Sequence, residues 1–483
     1  MKNLFIIVAI FSLGKIIAQN DSSKEYKKRV LESAEVDFLS SYYVQNGKNA
    51  SVTGGIGNEH LTDFTPTIVV SIPLNEDDIL TVDAGISTYT SASSSNGNPF
   101  DRNIQVPSGT RIVTGASSSS KETTYTNVFS PTPWAASTGA SRQDTWASFS
   151  LDYSHSSDNR NTIWNADASV ATEYDYFSIG FGGGLLKQFN EKNTTLGLSA
   201  KVYLDIWKPV YPTELKAYEA VNGNLNLGFF SGITIYDQNG NESTNWSPIS
   251  GFSLIQDKSR NSYSASIRFS QILSKNAQIS FFLDVVKQQG WLSNPLQRVY
   301  FGDIPNYYIG NPSSIPNYTS FTNKDVFQLA DDIERMPNSR FKIPIGMRFN
   351  YYINEYLALR TYYRYYFDDW GVNSNTANLE VPIKVSEKFT FYPAFRYYNQ
   401  THADYFAPYE QNLSTGTYYT SDYDLSKFSA QQYGLGVGYT DIFTKYHLLK
   451  FGLKSINLRY SAYRRNSGFK ANIITGGFTF VLD

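Results

Sequence analysis

The sequence predicts an all-β chain that closes into a transmembrane antiparallel β-barrel of about sixteen strands, and three observations carry that expectation. Apolar and polar residues alternate with a period of two over segment after segment. The connections between these segments alternate between short and long, with short periplasmic turns and long extracellular loops expected of outer-membrane barrels. The composition suits a wall with one lipid face: the 483 residues include 37 Tyr, 32 Phe and 7 Trp, yet only 17% are charged. A mean hydropathy of −0.35 is too polar for a bundle of spanning helices, each of which needs about 20 consecutive apolar residues.

Composition also excludes several function classes. The absence of Cys rules out a disulfide scaffold, a cysteine zinc site, a thiol nucleophile and a lipoprotein anchor. A net charge of −2 leaves no basic block to displace counterions from phosphate, so nucleic acid is not expected as a partner.

In chain order, residues 1–18 read as an export signal: Lys2, an apolar run from Leu4 to Leu13 broken only by Ser12, and a cleavage point after Ala18. Residues 19–33 are expected in the periplasm and residues 34–483 in the barrel. Phe64, Pro66, Ile68, Val70 and Ile72 alternate with Asp63, Thr65, Thr67 and Ser71; after the turn at 75–78, Leu80, Val82, Ala84 and Ile86 do the same, which makes a hairpin. The pattern returns at Leu196, Leu198 and Val202, at Ile279, Phe281 and Leu283, at Phe341, Ile343 and Ile345, at Leu379 and Val381, and at Phe389, Phe391 and Phe395. Short connections fall at 190–193, 273–276, 354–356 and 386–388, and long ones at 93–143, 208–258, 291–338 and 402–425. Near Tyr176 and Phe177 the apolar parity flips, which marks a tight outer turn. No stretch beyond the signal sustains helical periodicity.

Aromatics near segment ends (Tyr42, Tyr89, Trp164, Trp207, Tyr351, Tyr365, Phe367, Tyr397, Tyr439, Tyr460) suit interfacial girdles. The last strand, Thr475 to Leu482, places Gly477, Phe478, Phe480 and Leu482 as the signal read by the barrel-assembly machinery, with Asp483 extending it by one residue. That machinery and outer-membrane lipid are the expected partners, and the outer membrane the expected location.

If the apolar parity faces lipid, the opposite parity faces the lumen. The first seven segments then point in Glu35, Asp37, Asp83, Asp152, Asp167, Glu173, Asp175 and Asp205, with Lys201 the exception. The later segments point in Arg268, Lys342, Arg348, Arg360, Arg364, Lys384, Arg396 and Arg459, against Asp284 and Glu380. An acidic wall facing a basic wall sets a transverse field that orients dipolar solutes; the same charges could instead pair across a narrow or plugged lumen.

Catalytic constellations are weak. Of the four histidines, His155 lies in Ser154-His155-Ser156-Ser157-Asp158, but adjacent residues in a turn cannot align as nucleophile, base and orienter. Asp83, Asp152, Asp167 and Asp175 have calcium-compatible chemistry, but such wall carboxylates are ordinarily hydrated and no metal site is assigned. The Ser-rich stretches at 91–95 and 117–120 read as solvated loop.

Several segments resemble an uncharacterised outer-membrane barrel family common in Bacteroidetes, domain of unknown function three-five-seven-zero. They are Val52-Thr53-Gly54-Gly55-Ile56-Gly57, Leu61-Thr62-Asp63 with Thr65 to Val70, Tyr89 to Ser95, Tyr153 to Asp158, and Trp207-Lys208-Pro209. The resemblance runs over most of the chain and implies a barrel near extracytoplasmic redox proteins, but flavin-attachment and Cys-His motifs are absent, so no cofactor is expected.

The expected function is a non-enzymatic, porin-like barrel that passes or binds small polar solutes. The alternatives are a scaffold or surface receptor whose Tyr-rich loops (Tyr405 with Tyr409, Tyr418 with Tyr419) contact a protein or glycan, and a membrane-embedded hydrolase.

Overall fold

The computed structural model describes residues 29–91, 143–320, 326–441 and 443–482. The expected export signal, the start of the 19–33 segment, nearly all of the 93–143 loop with both Ser-rich stretches beyond Ser91, and Asp483 lie outside the described residues.

One antiparallel sheet dominates. Its strands are β1 (Glu35–Asn46), β2 (Leu61–Pro73), β3 (Asp78–Ser91), β4 (Gln143–Ser156), β5 (Thr162–Thr172), β6 (Tyr176–Phe189), β7 (Thr194–Trp207) and β8 (Lys258–Ser274). They continue with β9 (Ala277–Gly290), β10 (Ser339–Asn354), β11 (Leu357–Asp368), β12 (Asn373–Glu380), β13 (Phe389–Gln400), β14 (Phe428–Thr440), β15 (Phe451–Arg465) and β16 (Lys470–Leu482). The sheet has 18 hydrogen-bonded segments; Ile383–Lys384 and His447–Leu448 are two-residue pieces beside β12 and β15, and the other sixteen are the full strands. Each pairs with its neighbour in sequence, and β16 returns to β1 from Glu35↔Val481 to Asn46↔Lys470. Closure satisfies every strand edge, which a lipid environment demands.

The expected alternation sets the two faces. Ile68, Ile86, Phe149, Phe181, Leu198, Ile267, Phe281, Ile345, Phe395, Leu435 and Phe478 all stand exposed on the outside. In water this continuous apolar band would be an association surface; around a closed barrel it is the lipid belt, and the chain is an outer-membrane barrel. At the closing seam Phe478 and Phe480 face lipid, with the rings of Phe38 and Phe480 edge to face at 5.9 Å, while Gly477 lies opposite Leu39 on the inner face. Trp207 departs from the girdle expectation. It sits on the lumen parity of β7 and donates from Nε1 to Asp175 Oδ2 at 3.2 Å, under the guanidinium of Arg260.

One end of the barrel carries short turns. Asn75 shows why they are short: its side-chain oxygen accepts from the backbone N–H groups of Asp77 and Asp78, closing the β2–β3 turn locally. The other end carries the long connections at 47–60, 208–257, 291–338 and 401–427, together with the tight turn at 173–175 that the parity flip indicates.

The long connections do not hang as separate loops. Leu215, Phe230, Trp246, Tyr300, Phe327 and Leu329, from two of them, share one hydrophobic interior and none is more than 2% exposed. Where the sequence shows no helical periodicity, one α-helix lies among the described residues, α1 (Thr213–Ala220), and it contributes Leu215 to this interior. A small sheet, Ile235–Asp237 with Tyr307–Gly310 and Val326–Gln328, ties the loops together. We refer to this body as the cap.

Candidate functional site

The lumen wall is built by strand parity, and its charges are held by what the neighbouring strands leave room for. On the acidic arc, Asp152 and Asp167 lie directly opposite on β4 and β5, an arrangement that costs energy unless each carboxylate finds a donor. Asn165 donates to Asp152 at 2.7 Å, and Lys201 reaches Asp167 at 3.1 Å from β7. That second contact has to cross β6. In register the three positions are Asp167, Gly182 and Lys201, and a Cβ on Gly182 would collide with Asp167 Oδ1 and come within 2.8 Å of Lys201 Cγ. A glycine is needed there because two side chains close over it. Gly180 and Gly184 extend the same stripe beneath Ser169, Tyr203 and Asn165.

The other acidic positions are spread along the arc. Glu35 pairs with Lys454 at 2.5 Å near the short-turn end, and Asp37 accepts from Thr479 at 2.5 Å. Asp83 is on the lumen parity of β3, and Asp205 is 7% exposed near the outer end of β7. Glu173 and Asp175 lie in the outer turn at 173–175 rather than on a strand. Asp63, on the lumen parity of β2, adds a carboxylate that accepts from Thr65 at 2.9 Å and Ser87 at 2.5 Å.

On the basic arc, Glu380 of β12 accepts from Arg360 of β11 at 2.9 Å and, across two intervening strands, from Arg459 of β15 at 2.6 Å. Arg459 stacks over Tyr392 at 4.8 Å. Arg348 lies 5.6 Å from the ring of Tyr362, which stacks on Phe282 at the same distance. Arg268, Arg364 and Arg396 occupy the same face, and Arg364 Nε is buried with no hydrogen-bond partner. Lys342 sits toward the outer end of β10, and exposed Lys384 at the short-turn end. Every wall ion pair among the described residues joins strands at most three apart. Among the described residues the charges pair along the wall and not across the lumen; one pair, Glu35 with Lys454, joins the acidic arc to the basic arc at the closing seam.

The cap is pinned by a buried ion pair. Glu214, in the first turn of α1, receives two hydrogen bonds from Arg298, Nε to Oε1 at 2.6 Å and Nη2 to Oε2 at 3.1 Å, and both side chains are 1% exposed. The remaining nitrogen, Nη1, donates to the carbonyl of Val52 at 2.7 Å. Val52 belongs to the β1–β2 connection and Arg298 to the β9–β10 connection, halfway around the closed strand order. Sixteen strands enclose a mouth about 30 Å wide between backbones, so this contact requires chain to cross the mouth.

Carboxyls inside the cap feel the burial. Burial pushes Asp331 up to about 8 although it accepts from the Phe301 N–H, and pushes Glu334 up to about 7 despite hydrogen bonds from Thr420 and Asn294. Glu59, in the β1–β2 connection, is likewise raised by burial to about 7.

The loop tyrosines are only partly available as a contact surface. Tyr419 is 3% exposed with its hydroxyl on Asp332, Tyr409 bonds Gln328, and Tyr405 packs edge-on against Trp370; Tyr418 is exposed. His155 bonds Asp78 at 2.6 Å on the outer parity of β4, whereas Ser154 is on the inner parity, so the two cannot act together. Among the described residues no group of three or more His, Cys, Asp or Glu is arranged to hold a metal ion.

No protein of curated function matches the sequence. Alignments to solved structures include a bacterial polysaccharide outer membrane secretin (10% identity, TM-score 0.40, covering 94% of this chain and 100% of that one). They also include OpdK from Pseudomonas aeruginosa (8%, 0.34, 93% and 99%) and the toluene transporter TodX from Pseudomonas putida (8%, 0.36, 94% and 90%). The family model described as "protein of unknown function (DUF3570)" matches residues 3–472, and the chain belongs to that family.

Proposed function

We propose that the protein is a capped outer-membrane barrel that binds or passes small polar solutes through a lumen with one acidic and one basic arc, and is not a permanently open pore. The observation that carries the reading is the Arg298–Val52 hydrogen bond, made between loops on opposite sides of the mouth and backed by a cap interior excluded from water. The lumen beneath supports solute passage: apart from Glu35 with Lys454 at the closing seam, its charges pair within each arc, which leaves most of the field between the arcs uncancelled.

Recording in planar bilayers tests this. The intact protein should conduct in small, infrequent steps, and loosening the cap by Glu214→Leu should make conducting events roughly a hundredfold more frequent. In that conducting form, Arg360→Glu with Arg364→Glu should move the reversal potential toward cation selectivity. A large, steady conductance in the intact protein would refute the closed cap. Silence in both forms would refute the solute path, and an unmoved reversal potential would refute the basic wall.

A further inference from the structure

The basic arc carries more positive charge than its own structure uses. Arg348, Arg360, Arg364, Arg396 and Arg459 share the lumen face of β10, β11, β13 and β15. Apart from Asp368, which closes on Arg340 at the outer end at 2.5 Å, the carboxylate of β10–β15 is Glu380, and both its oxygens are already taken by Arg360 and Arg459. Arg396 has no ion-pair partner among the described residues. Arg364 Nε is buried without a partner, and so is the hydroxyl of Thr376, which lies directly opposite Arg364 in the β11–β12 register and is 0% exposed. Arg364 Nε and the Thr376 hydroxyl are buried polar atoms without a partner, while Arg348 and Arg396 stand exposed on the lumen face with no ion-pair partner among the described residues, so the arc has charge and donors to offer an anion.

The surroundings of Arg459 and Arg396 say what kind of anion. On one side of Arg459 a hollow of about 150 Å³ is lined by Asn378, Tyr392, Arg396, Gln432 and Ser461, with Glu380 as its carboxylate, already held by Arg360 and Arg459. On its other side, across the closing seam, lies a hollow of about 370 Å³ lined by Leu39 and the side chains of Ser41, Thr65, Thr67, Thr475 and Thr479, of which Thr65 and Thr479 donate to Asp63 and Asp37 and present their oxygens as acceptors. Small residues make the space. A Cβ on Gly436 would stand 3.0 Å from Arg459 Cγ and 3.2 Å from Tyr392 Cβ, so a side chain there would press on the stem of Arg459 and on Tyr392 where they lie along the wall. Guanidinium groups flanked by neutral amides, a row of hydroxyls and a tyrosine face suit a ligand with an acid group and many hydroxyls.

We propose that this arc, with the closing seam beside it, is a binding site for an acidic oligosaccharide, with Arg396 and Arg459 holding the carboxylates and the hydroxyl and amide groups holding the sugar hydroxyls. The site rests on the reading of the lumen as a solute path and names the solute's chemistry.

Isothermal titration of the full chain in detergent, with trigalacturonate as probe and maltotriose and citrate as controls, tests it. Trigalacturonate should bind and both controls should bind at least tenfold more weakly. Arg396→Gln, which removes a charge that no protein group pairs with, should weaken trigalacturonate about tenfold, and Arg396→Lys should restore part of the loss with the thermal midpoint unchanged. Equal binding of maltotriose, equal binding of citrate, or an Arg396→Gln variant that binds as the native chain does would each overturn the proposal. Swelling of liposomes in a neutral sugar separates the two failures. Swelling without trigalacturonate binding removes the site and leaves the solute path, whereas trigalacturonate binding without swelling or conductance removes passage and leaves the site.

Discussion

The Glu214–Arg298 pair is the point at which the cap should be easiest to break and its breakage easiest to interpret. Both side chains are 1% exposed and the contact is bidentate, so Glu214→Leu leaves a guanidinium buried with only the Val52 carbonyl as partner. Removing one member of a buried pair costs about 3–5 kcal/mol. The surviving bond to Val52 puts the expected value near the lower limit, about 3 kcal/mol, which corresponds to roughly a hundredfold increase in the open fraction of the cap. Replacing both partners, Glu214→Leu with Arg298→Met, removes the stranded charge along with the pair and should recover most of the loss. The assay is the rate of thermolysin cleavage within residues 208–257 in reconstituted liposomes, which follows the open fraction when opening and closing are faster than cutting. The single variant should be cut about a hundredfold faster than the native chain and the double variant within about tenfold of it, while the barrel stays folded. A single variant as resistant as the native chain would show that something other than this pair holds the loops together, and a double variant cut as fast as the single would refute the stranded charge as the cause of the loss.

Two further outcomes follow from the same geometry. Gly182→Val should break the Lys201–Asp167 contact and push β5 and β7 side chains off the wall, costing about 1–3 kcal/mol as overpacking does; urea unfolding in lipid vesicles would read the change, and a variant as stable as the native barrel would remove the steric argument. The cap should also lose stability as pH rises. Asp331 and Glu334 are raised by burial from ordinary values of 3.8 and 4.5 to about 8 and about 7. The closed cap therefore holds more protons than the open one between those limits; its stability is full below about pH 4 and is lost as pH climbs through the folded values. Thermolysin cleavage at pH 8.5 should be faster than at pH 6 after correction for the enzyme's own profile, and Glu334→Gln should flatten part of the difference. A pH-independent rate would contradict the burial of these carboxyls.

How much was legible in the sequence depends on where each constraint acts. The barrel imposes its rule on every strand separately, because each must present apolar groups to lipid at alternate positions; Phe64, Pro66, Ile68 and Val70 therefore announce β2 without reference to any other segment. The turn that reverses the parity at 173–175 was equally local. The cap obeys no such rule. Its interior joins Leu215 and Trp246 to Phe327, and its buried pair joins Glu214 to Arg298, 84 residues apart in sequence. Nothing periodic links these positions, so a tyrosine such as Tyr419 read as a displayed contact although its ring lies inside. Thr213-Glu214-Leu215-Lys216-Ala217 did carry a local signal, good helix formers with an acid in the first turn just after Pro212, but a helix of about two turns has too little amphipathic face to register by period.

The lumen falls between these cases, and the glycines explain why. Parity assigns Asp167 and Lys201 to the inner face, but it cannot say that they touch, because they stand on strands separated by β6. What lets them meet is the absence of a side chain at Gly182, just as Gly436 lets Arg459 lie against Tyr392. A glycine in a strand interior carries a conformational cost of roughly 0.5–1 kcal/mol relative to alanine, so a stripe of them on the lumen face must be offset by what it admits. In β6 the stripe admits an ion pair that relieves two opposed aspartates. In β14 it admits a guanidinium and the hollows beside it, and there the offset within the protein is incomplete: Glu380 answers two of the arginines while Arg396 has no ion-pair partner among the described residues.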